Sequence, residues 1–281
     1  IQFTAANGSV SNMTRLDAMK AAVISSLNGL YNSAASDLKV HIDTFASQAN
    51  SSGTFTLTSG GVDSAAQLAL AIAFVNSITV PSANYTNYEA GLVAANTWIE
   101  STGSAAPIAN ADINKVIFVS DGEPNRALVG NGSSVSGDLS ATNAMHNVLG
   151  TGNNDTVSEV GRIENSDGSS AGQTFTIEAV GIQVNSTAIA LLSQVEGAGG
   201  SATNVGTANE LSNVIGQLTG GNLNVAGVGN DVLHGGNGND ILFGDSIHAD
   251  AADGGWTAFV AAHPGASNSD LIALISANHA D

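Results

Sequence analysis

Apolar positions recur at spacings of three and four through Leu16, Met19, Val23, Leu27 and Leu30, the stripe of an amphipathic helix. Thr14-Arg15-Leu16-Asp17 reads as a capping box, in which a hydroxyl and a carboxylate satisfy the first backbone N–H groups. The period then changes. Leu38 to Phe45 alternates apolar and polar and predicts a half-buried strand, and Gly53 to Thr58 predicts a second, with Phe55 and Leu57 on one face. Ala65 to Ile78 reads as a helix of mostly small apolar residues. Thr86-Asn87-Tyr88-Glu89 is a second capping box, opening a helix with Leu92, Ala95 and Ile99. Val116-Ile117-Phe118-Val119 is a continuous apolar run, the mark of a parallel strand buried on both faces, and it stops at Ser120-Asp121-Gly122. Thr174 to Val184 predicts another strand, followed by a helix from Thr187 to Val195. Thr207-Ala208-Asn209-Glu210 is a third capping box, and Leu211, Val214, Ile215 and Leu218 complete its stripe.

Strands alternating with helices predict an α/β fold, a doubly wound, mostly parallel sheet with helices on both faces. Sheets of this kind take ligands beyond the carboxyl ends of their strands, and Asp121 sits at such an end. The stretch from Gly122 to Gln173 is long for one connection and predicts short helices at Thr142 to Leu149 and Thr156 to Ile163 within a polar, Gly-rich insertion. Near residue 219 the composition shifts to Gly, Asn and Asp in short repeats. Three segments follow from this: the α/β domain at 1–218, repeats at 219–247, and a small helical cap or linker at 248–281.

Composition narrows the function. With 24 acidic and 6 basic residues the net charge is −18, which opposes a role on nucleic acid or on anionic lipid. Only 11% of residues are charged and 43% are hydrophobic, so the chain has the apolar content to fold. Cysteine is absent, which removes disulfides, thiolate metal sites and cysteine nucleophiles together. High Gly, an excess of acid and few cations suit an extracellular surface that handles calcium. The longest apolar run, Ala65 to Val80, is interrupted by Gln67, Asn76 and Ser77 and is too short to span a bilayer, so no membrane insertion is expected. No basic leader opens the chain and residue 1 is not Met, so it reads as a segment of a longer polypeptide.

Read from the residues alone, Thr86 serves as an N-cap and Asp121 as a turn residue after a strand. Taken together, Ser120-Asp121-Gly122-Glu123-Pro124-Asn125 after a buried strand and Thr86-Asn87-Tyr88-Glu89 before a helix resemble the von Willebrand factor A family. Asp43 to Ala46 and the Thr14-Arg15-Leu16-Asp17 helix start fit the same pattern, over roughly residues 1 to 218. The resemblance implies a metal-ion-dependent adhesion site built from three loops: D-x-S-x-S, a Thr and an Asp. Hard oxygen ligands of this kind suit Mg²⁺ or Ca²⁺. It makes Thr86 and Asp121 the second- and third-loop ligands. The first-loop slot falls on Ala5-Ala6-Asn7-Gly8-Ser9, where Ser9 is kept, Asn7 can offer an oxygen, and Ala5 stands in place of the acid. With one carboxylate left, a divalent cation is expected to bind there weakly or not at all.

Ala226-Gly227-Val228-Gly229-Asn230-Asp231-Val232-Leu233-His234 runs into Gly235-Gly236-Asn237-Gly238-Asn239-Asp240-Ile241-Leu242-Phe243, and Gly244-Asp245 begins a degenerate third copy. Both copies match the nonapeptide G-G-x-G-x-D-x-U-x and so resemble the repeats-in-toxin family, with only Ala226 off the pattern. Gly227, Gly229, Gly236 and Gly238 allow the tight turns, and Asp231, Asp240 and Asp245 supply carboxylates for Ca²⁺. Leu233 and Leu242 would face the core of a short parallel β-roll. In that fold a calcium lies between turns two repeats apart, which pairs Asp240 with the turn near Asn222. Trp256, Phe259 and Val260, then Leu271, Leu274 and Ile275 behind Ser267 to Asp270, predict two short capping helices. His248, His263 and His279 form no known metal spacing and read as surface or packing residues.

No G-x-S-x-G, H-E-x-x-H or P-loop pattern occurs in the chain. The pairs Asp17/Asp43 and Asp121/Glu123 read as solvated charges, so no enzyme is expected. The reading is a segment of a calcium-dependent bacterial surface adhesin, secreted by a one-step type I route. Its A-type domain would bind an extracellular protein or other surface ligand, and its repeats would fold on Ca²⁺ outside the cell. The alternatives are a spacer module with a degenerate metal site, and a non-catalytic piece of a calcium-dependent hydrolase.

Overall fold

The computed structural model describes residues 1–5, 7–32, 38–57, 64–80, 85–109, 111, 113–128, 137–152, 155–164 and 174–219. The expected calcium repeats and helical cap lie outside these residues. In chain order the elements are β1 (Gln2–Thr4), β2 (Val10–Asn12), α1 (Arg15–Asn32), β3 (Lys39–Phe45), β4 (Ala49–Thr56), α2 (Ser64–Ser77), α3 (Tyr88–Ile99), β5 (Lys115–Ser120), α4 (Ala141–Val148), α5 (Glu159–Ile163), β6 (Thr176–Ile182), α6 (Ser186–Val195), β7 (Thr203–Val205) and α7 (Ala208–Thr219).

Two helix starts are set locally, as expected. The Thr14 hydroxyl accepts the Asp17 N–H at 3.0 Å and donates to the Asp17 carboxylate at 2.6 Å. At α7 the Thr207 hydroxyl accepts the Glu210 N–H at 3.2 Å, and Glu210 Oε2 accepts the N–H groups of Gly206 and Thr207 at 2.6 and 3.1 Å. The second box is different: Asn87, not Thr86, caps α3, with Oδ1 accepting the Ala90 N–H at 3.0 Å.

The fold is mixed α/β. Among the described residues it has seven helices and a parallel sheet of three strands in the order β5-β6-β7. One face buries Phe118, Ile177 and Ala179 under α3, α4, α5 and α6. The other buries Val180, Ile182 and Val205 under α1 and α7. The insertion holds α4 and α5, the two short helices its sequence predicts.

The remaining strands stand apart from this sheet. β3 pairs antiparallel with β4 in a hairpin, and β1 pairs antiparallel with β2 in another, which the sequence did not announce. An isolated parallel bridge joins Gln2 to Thr207, just beyond β7. The β3–β4 hairpin has its own core of Leu27, Phe55, Leu57, Ala71 and Val75, with Val40 and Ile42 packed against it. Here the structure is coarser than the single doubly wound sheet expected, because among the described residues no ladder joins β3 to β5.

Two helices cover both halves. α1 packs Ala18 and Ala22 against the parallel sheet, and Val23, Ile24 and Leu27 against the hairpin. α3 lies across the opposite face. Its Gly91 lets β3 approach closely, since a Cβ there would come within 2.7 Å of the Phe45 ring. Phe45 stacks on Phe118 with centroids 5.1 Å apart, and His41 of β3 stacks on Trp98 of α3 at 4.7 Å.

Candidate functional site

β5 buries Phe118 and Ser120, then emerges at Asp121, whose side chain is exposed. α3 begins beside it because Asn87 ties the helix start to the turn after β3. The Asn87 N–H donates to the Ala46 carbonyl at 2.8 Å, and its Nδ2 donates to the Ser47 carbonyl at 3.1 Å. Thr86 is then clasped by the loop after β5: its N–H donates to Asn125 Oδ1 at 2.9 Å, and its carbonyl accepts the Asn125 N–H at 2.8 Å. Thr86 and the Asp121-Gly122 turn therefore converge, and a Cβ added at Gly122 would stand 3.6 Å from Thr86 Oγ1. Since Asn87 does the capping, the half-buried Thr86 hydroxyl is left pointing at that turn.

Residues the sequence reading did not single out support the turn from below. The buried Tyr88 hydroxyl donates to the Gly122 carbonyl at 2.6 Å, and its ring meets Phe118 edge-on at 5.0 Å. Burial pushes the Tyr88 phenol up to about 12; the Ser120 hydrogen bond opposes this, while Asp121 and Glu123 add to it. It stays a neutral donor at any physiological pH. The only sequence signal for it was an aromatic directly after the Asn87 cap.

Charges above the turn are paired. Arg15, at the start of α1, places Nη1 3.3 Å from Asp121 Oδ2 and 3.3 Å from the Asp121 carbonyl. Glu123 Oε1 accepts from Asn185 Nδ2 at 2.7 Å, which links the turn to the start of α6. Arg126 lies 3.7 Å over the Tyr85 ring and forms an ion pair with Asp138. Asp121/Glu123 are thus engaged with a guanidinium and an amide.

Asn7 and Ser9 form their own turn. Asn7 Oδ1 accepts the Ser9 N–H at 3.0 Å and the Ser9 hydroxyl at 2.8 Å. The hairpin that carries them is held to α7, where Asn209 bonds Thr4 at 2.8 and 2.9 Å. Among the described residues no group of three or more His, Asp or Glu side chains is placed to hold a metal. One carboxylate, already facing a guanidinium, does not by itself make a divalent-cation shell. No described helix is long and apolar enough to cross a membrane.

A second polar cluster lies buried beneath. Glu89, on α3, accepts the Leu128 N–H on Oε2 at 2.6 Å, so it anchors the loop after β5 and does not close the capping box. Burial pushes its carboxyl up to about 8; the Leu128 N–H opposes this, and Asp155 and Glu159 add to it. Glu159 in turn accepts from Asn96 Nδ2 at 2.7 Å, and Arg162 pairs with Glu100 at 2.7 Å.

No protein-family model and no curated protein matches the chain. Among solved structures it is similar to the pilus adhesin SpaC from Lactobacillus rhamnosus GG in its open conformation. That match has a TM-score of 0.45 and 13% identity over 73% of this chain and 28% of the adhesin. A second structure of the same adhesin gives a TM-score of 0.47 and 12% identity over 74% and 28%. This chain thus spans under a third of the length of those adhesin chains.

Proposed function

We propose that this chain is a segment of a calcium-dependent adhesin, secreted to a bacterial cell surface, which binds an extracellular protein or other surface ligand and catalyses nothing. The observation that carries the binding reading is the convergence of the Thr86 hydroxyl with the Asp121-Gly122 turn at the carboxyl end of the sheet. That is where an open α/β sheet presents ligand groups. In this reading calcium acts at the repeats around Asp231, Asp240 and Asp245, ordering them outside the cell. A Mg²⁺ or Ca²⁺ at the sheet end must displace Arg15 from Asp121, since both cations compete for one carboxylate. Capture of cell-surface or matrix proteins by the purified chain tests the reading, with Asp121→Ala and Thr86→Ala beside it. Both variants should lose capture, chelator should lower the melting temperature of the whole chain, and an unchanged melt in chelator sinks the calcium part. Turnover of an ester, peptide or glycoside would overturn the non-catalytic part.

The Arg15–Asp121 pair also favours a second reading, a spacer whose adhesion site has been neutralised by an internal cation. Arg15→Ala separates the two. Both readings expect Arg15→Ala to raise divalent-cation affinity at Asp121, but a binding domain captures ligand before that change and a neutralised spacer captures it only after.

A further inference from the structure

β4 and α2 carry two open features on one side of the fold. β4 runs for eight residues and, among the described residues, pairs only with β3. Directly after the strand, the Leu57 N–H donates to the Leu38 carbonyl at 2.7 Å, in register with the ladder. Backbone groups alternate sides along a strand, so positions 51, 53 and 55 also face β3. Asn50, Ser52, Thr54 and Thr56 therefore turn their N–H and C=O groups outward. Ala49 to Ser52 are exposed, and the strand holds no charge and no proline, the usual guards of a free edge. α2 packs on β4 and against α1, while α1 also covers the parallel sheet, so α2 is the outermost described helix of that layer. It buries Ala71 and Val75, yet its outer strip of Ala66, Ala69, Leu70 and Ala73 is apolar and exposed, Leu70 at 55%. A helix apolar on both faces is ordinarily covered on both.

We propose that this side is the contact between two copies of the chain, which pair β4 with β4 antiparallel about a two-fold axis perpendicular to the sheet. Three observations select a second copy as the occupant. The first is charge. At a net −18, two copies repel wherever their acids meet. Positions 44–88, which include β4 and α2, hold a single charged residue, Asp63, so a copy can approach there without setting acid against acid. The second is symmetry. The outward groups recur at every second residue of β4, so an inverted copy of the same strand presents acceptors to its donors and donors to its acceptors. Ser52 and Thr54 then meet short hydroxyl side chains, a favourable cross-strand pairing. The third is the helix. A foreign peptide strand laid on β4 would complete the ladder but leave the strip of α2 in water. The two-fold places both copies of α2 on one face of the extended sheet, on either side of the seam, where alanines let two helices come close and Leu70 is covered. One strand edge and one helix strip make a small contact beside the about 800 Å² per partner of a standard interface, so the dimer is weak. This does not depend on the adhesion reading.

Sedimentation velocity on the full chain tests this. A monomer at about 1 μM and a dimer at about 100 μM are expected. Added salt should strengthen the dimer, because it screens the repulsion of two acidic bodies and finds no ion pair at the contact to weaken. Ser52→Pro removes an outward N–H and leaves the ladder to β3 intact, so it should hold the chain monomeric at about 100 μM with the monomer's melting temperature unchanged. Leu70→Glu should do the same from the helix side. If the proline variant does not fold, Leu70→Glu and exchange in the parent protein decide. In the parent, the amides of Ser52 and Thr54 should exchange about tenfold more slowly at the higher concentration, while those of β6 keep their rate. A chain that stays monomeric at about 100 μM in high salt overturns the proposal. So does a dimer that both variants leave intact, or exchange at Ser52 and Thr54 that is equal at the two concentrations.

Discussion

β5 and β6 are equally apolar neighbours in one sheet, yet they are buried to different degrees. β6 is bonded on both edges, and Ile177, Ala179, Val180 and Ile182 are all within 5% of full burial. Among the described residues β5 is bonded on one edge, and of Val116, Ile117, Phe118 and Val119 only Phe118 is buried. β3 repeats the contrast from the other side, with every residue half-buried despite a helix on each face. Helices above and below a strand do not complete its burial; a strand on each side does. Among the described residues β5 has a ladder on one edge only, and its apolar side chains are correspondingly less buried than those of β6.

The largest effect should come from the ring that spans the two halves. Phe118→Ala removes contacts to both Phe45 and Tyr88 and should cost about 3–5 kcal/mol in denaturant unfolding. A loss under about 1 kcal/mol would mean the halves do not lean on each other there.

Next is pH. The folded carboxyl of Glu89 sits at about 8, raised from its ordinary 4.5, so the folded state holds its proton more tightly than the unfolded state. The stabilisation is complete below the ordinary value and is lost as pH rises through about 8. From about pH 5.5 to about pH 8 this group should remove on the order of 3 kcal/mol. Glu89→Gln should flatten that part of the profile, and melts of the two proteins across the range check it. Because α3 covers both halves, the alkaline loss should loosen both.

Gly91→Ala should act on one half. The new methyl meets the Phe45 ring and pushes the hairpin from α3 at about 1–3 kcal/mol, with exchange rising in β3 before β6. Equal loosening of both strands would show that the halves open as one.

The smallest pair separates cap from ligand group. Asn87→Ala should cost about 1 kcal/mol or somewhat more, because the side chain caps α3 and bonds Ser47. Thr86→Ala should stay within about 0.5 kcal/mol, its hydroxyl being outside the cap. A reversed order in thermal melts would restore Thr86 as the cap.

What the sequence determined by itself was local. The stripe of α1 and the boxes at Thr14/Asp17 and Thr207/Glu210 were legible, because each closes within one turn of its own helix. The positions of Asp121 at a strand end and of Phe55 and Leu57 on one face were legible for the same reason, being matters of period and termination. Tertiary structure decided the second box, Thr86 to Glu89. Glu89 is drawn away to Leu128, 39 residues on, and Asn87 is bonded across to Ala46 and Ser47, so the cap moved by one residue and the Thr86 hydroxyl was released. It also decided that Arg15, in sequence a helix-start residue, neutralises Asp121 across 106 positions, and that Tyr88 holds the turn from beneath. Residue type and spacing fix which hydrogen bonds a segment can make within itself. Which partner wins, when a distant group offers a shorter bond in a drier place, is settled only once the layers have packed.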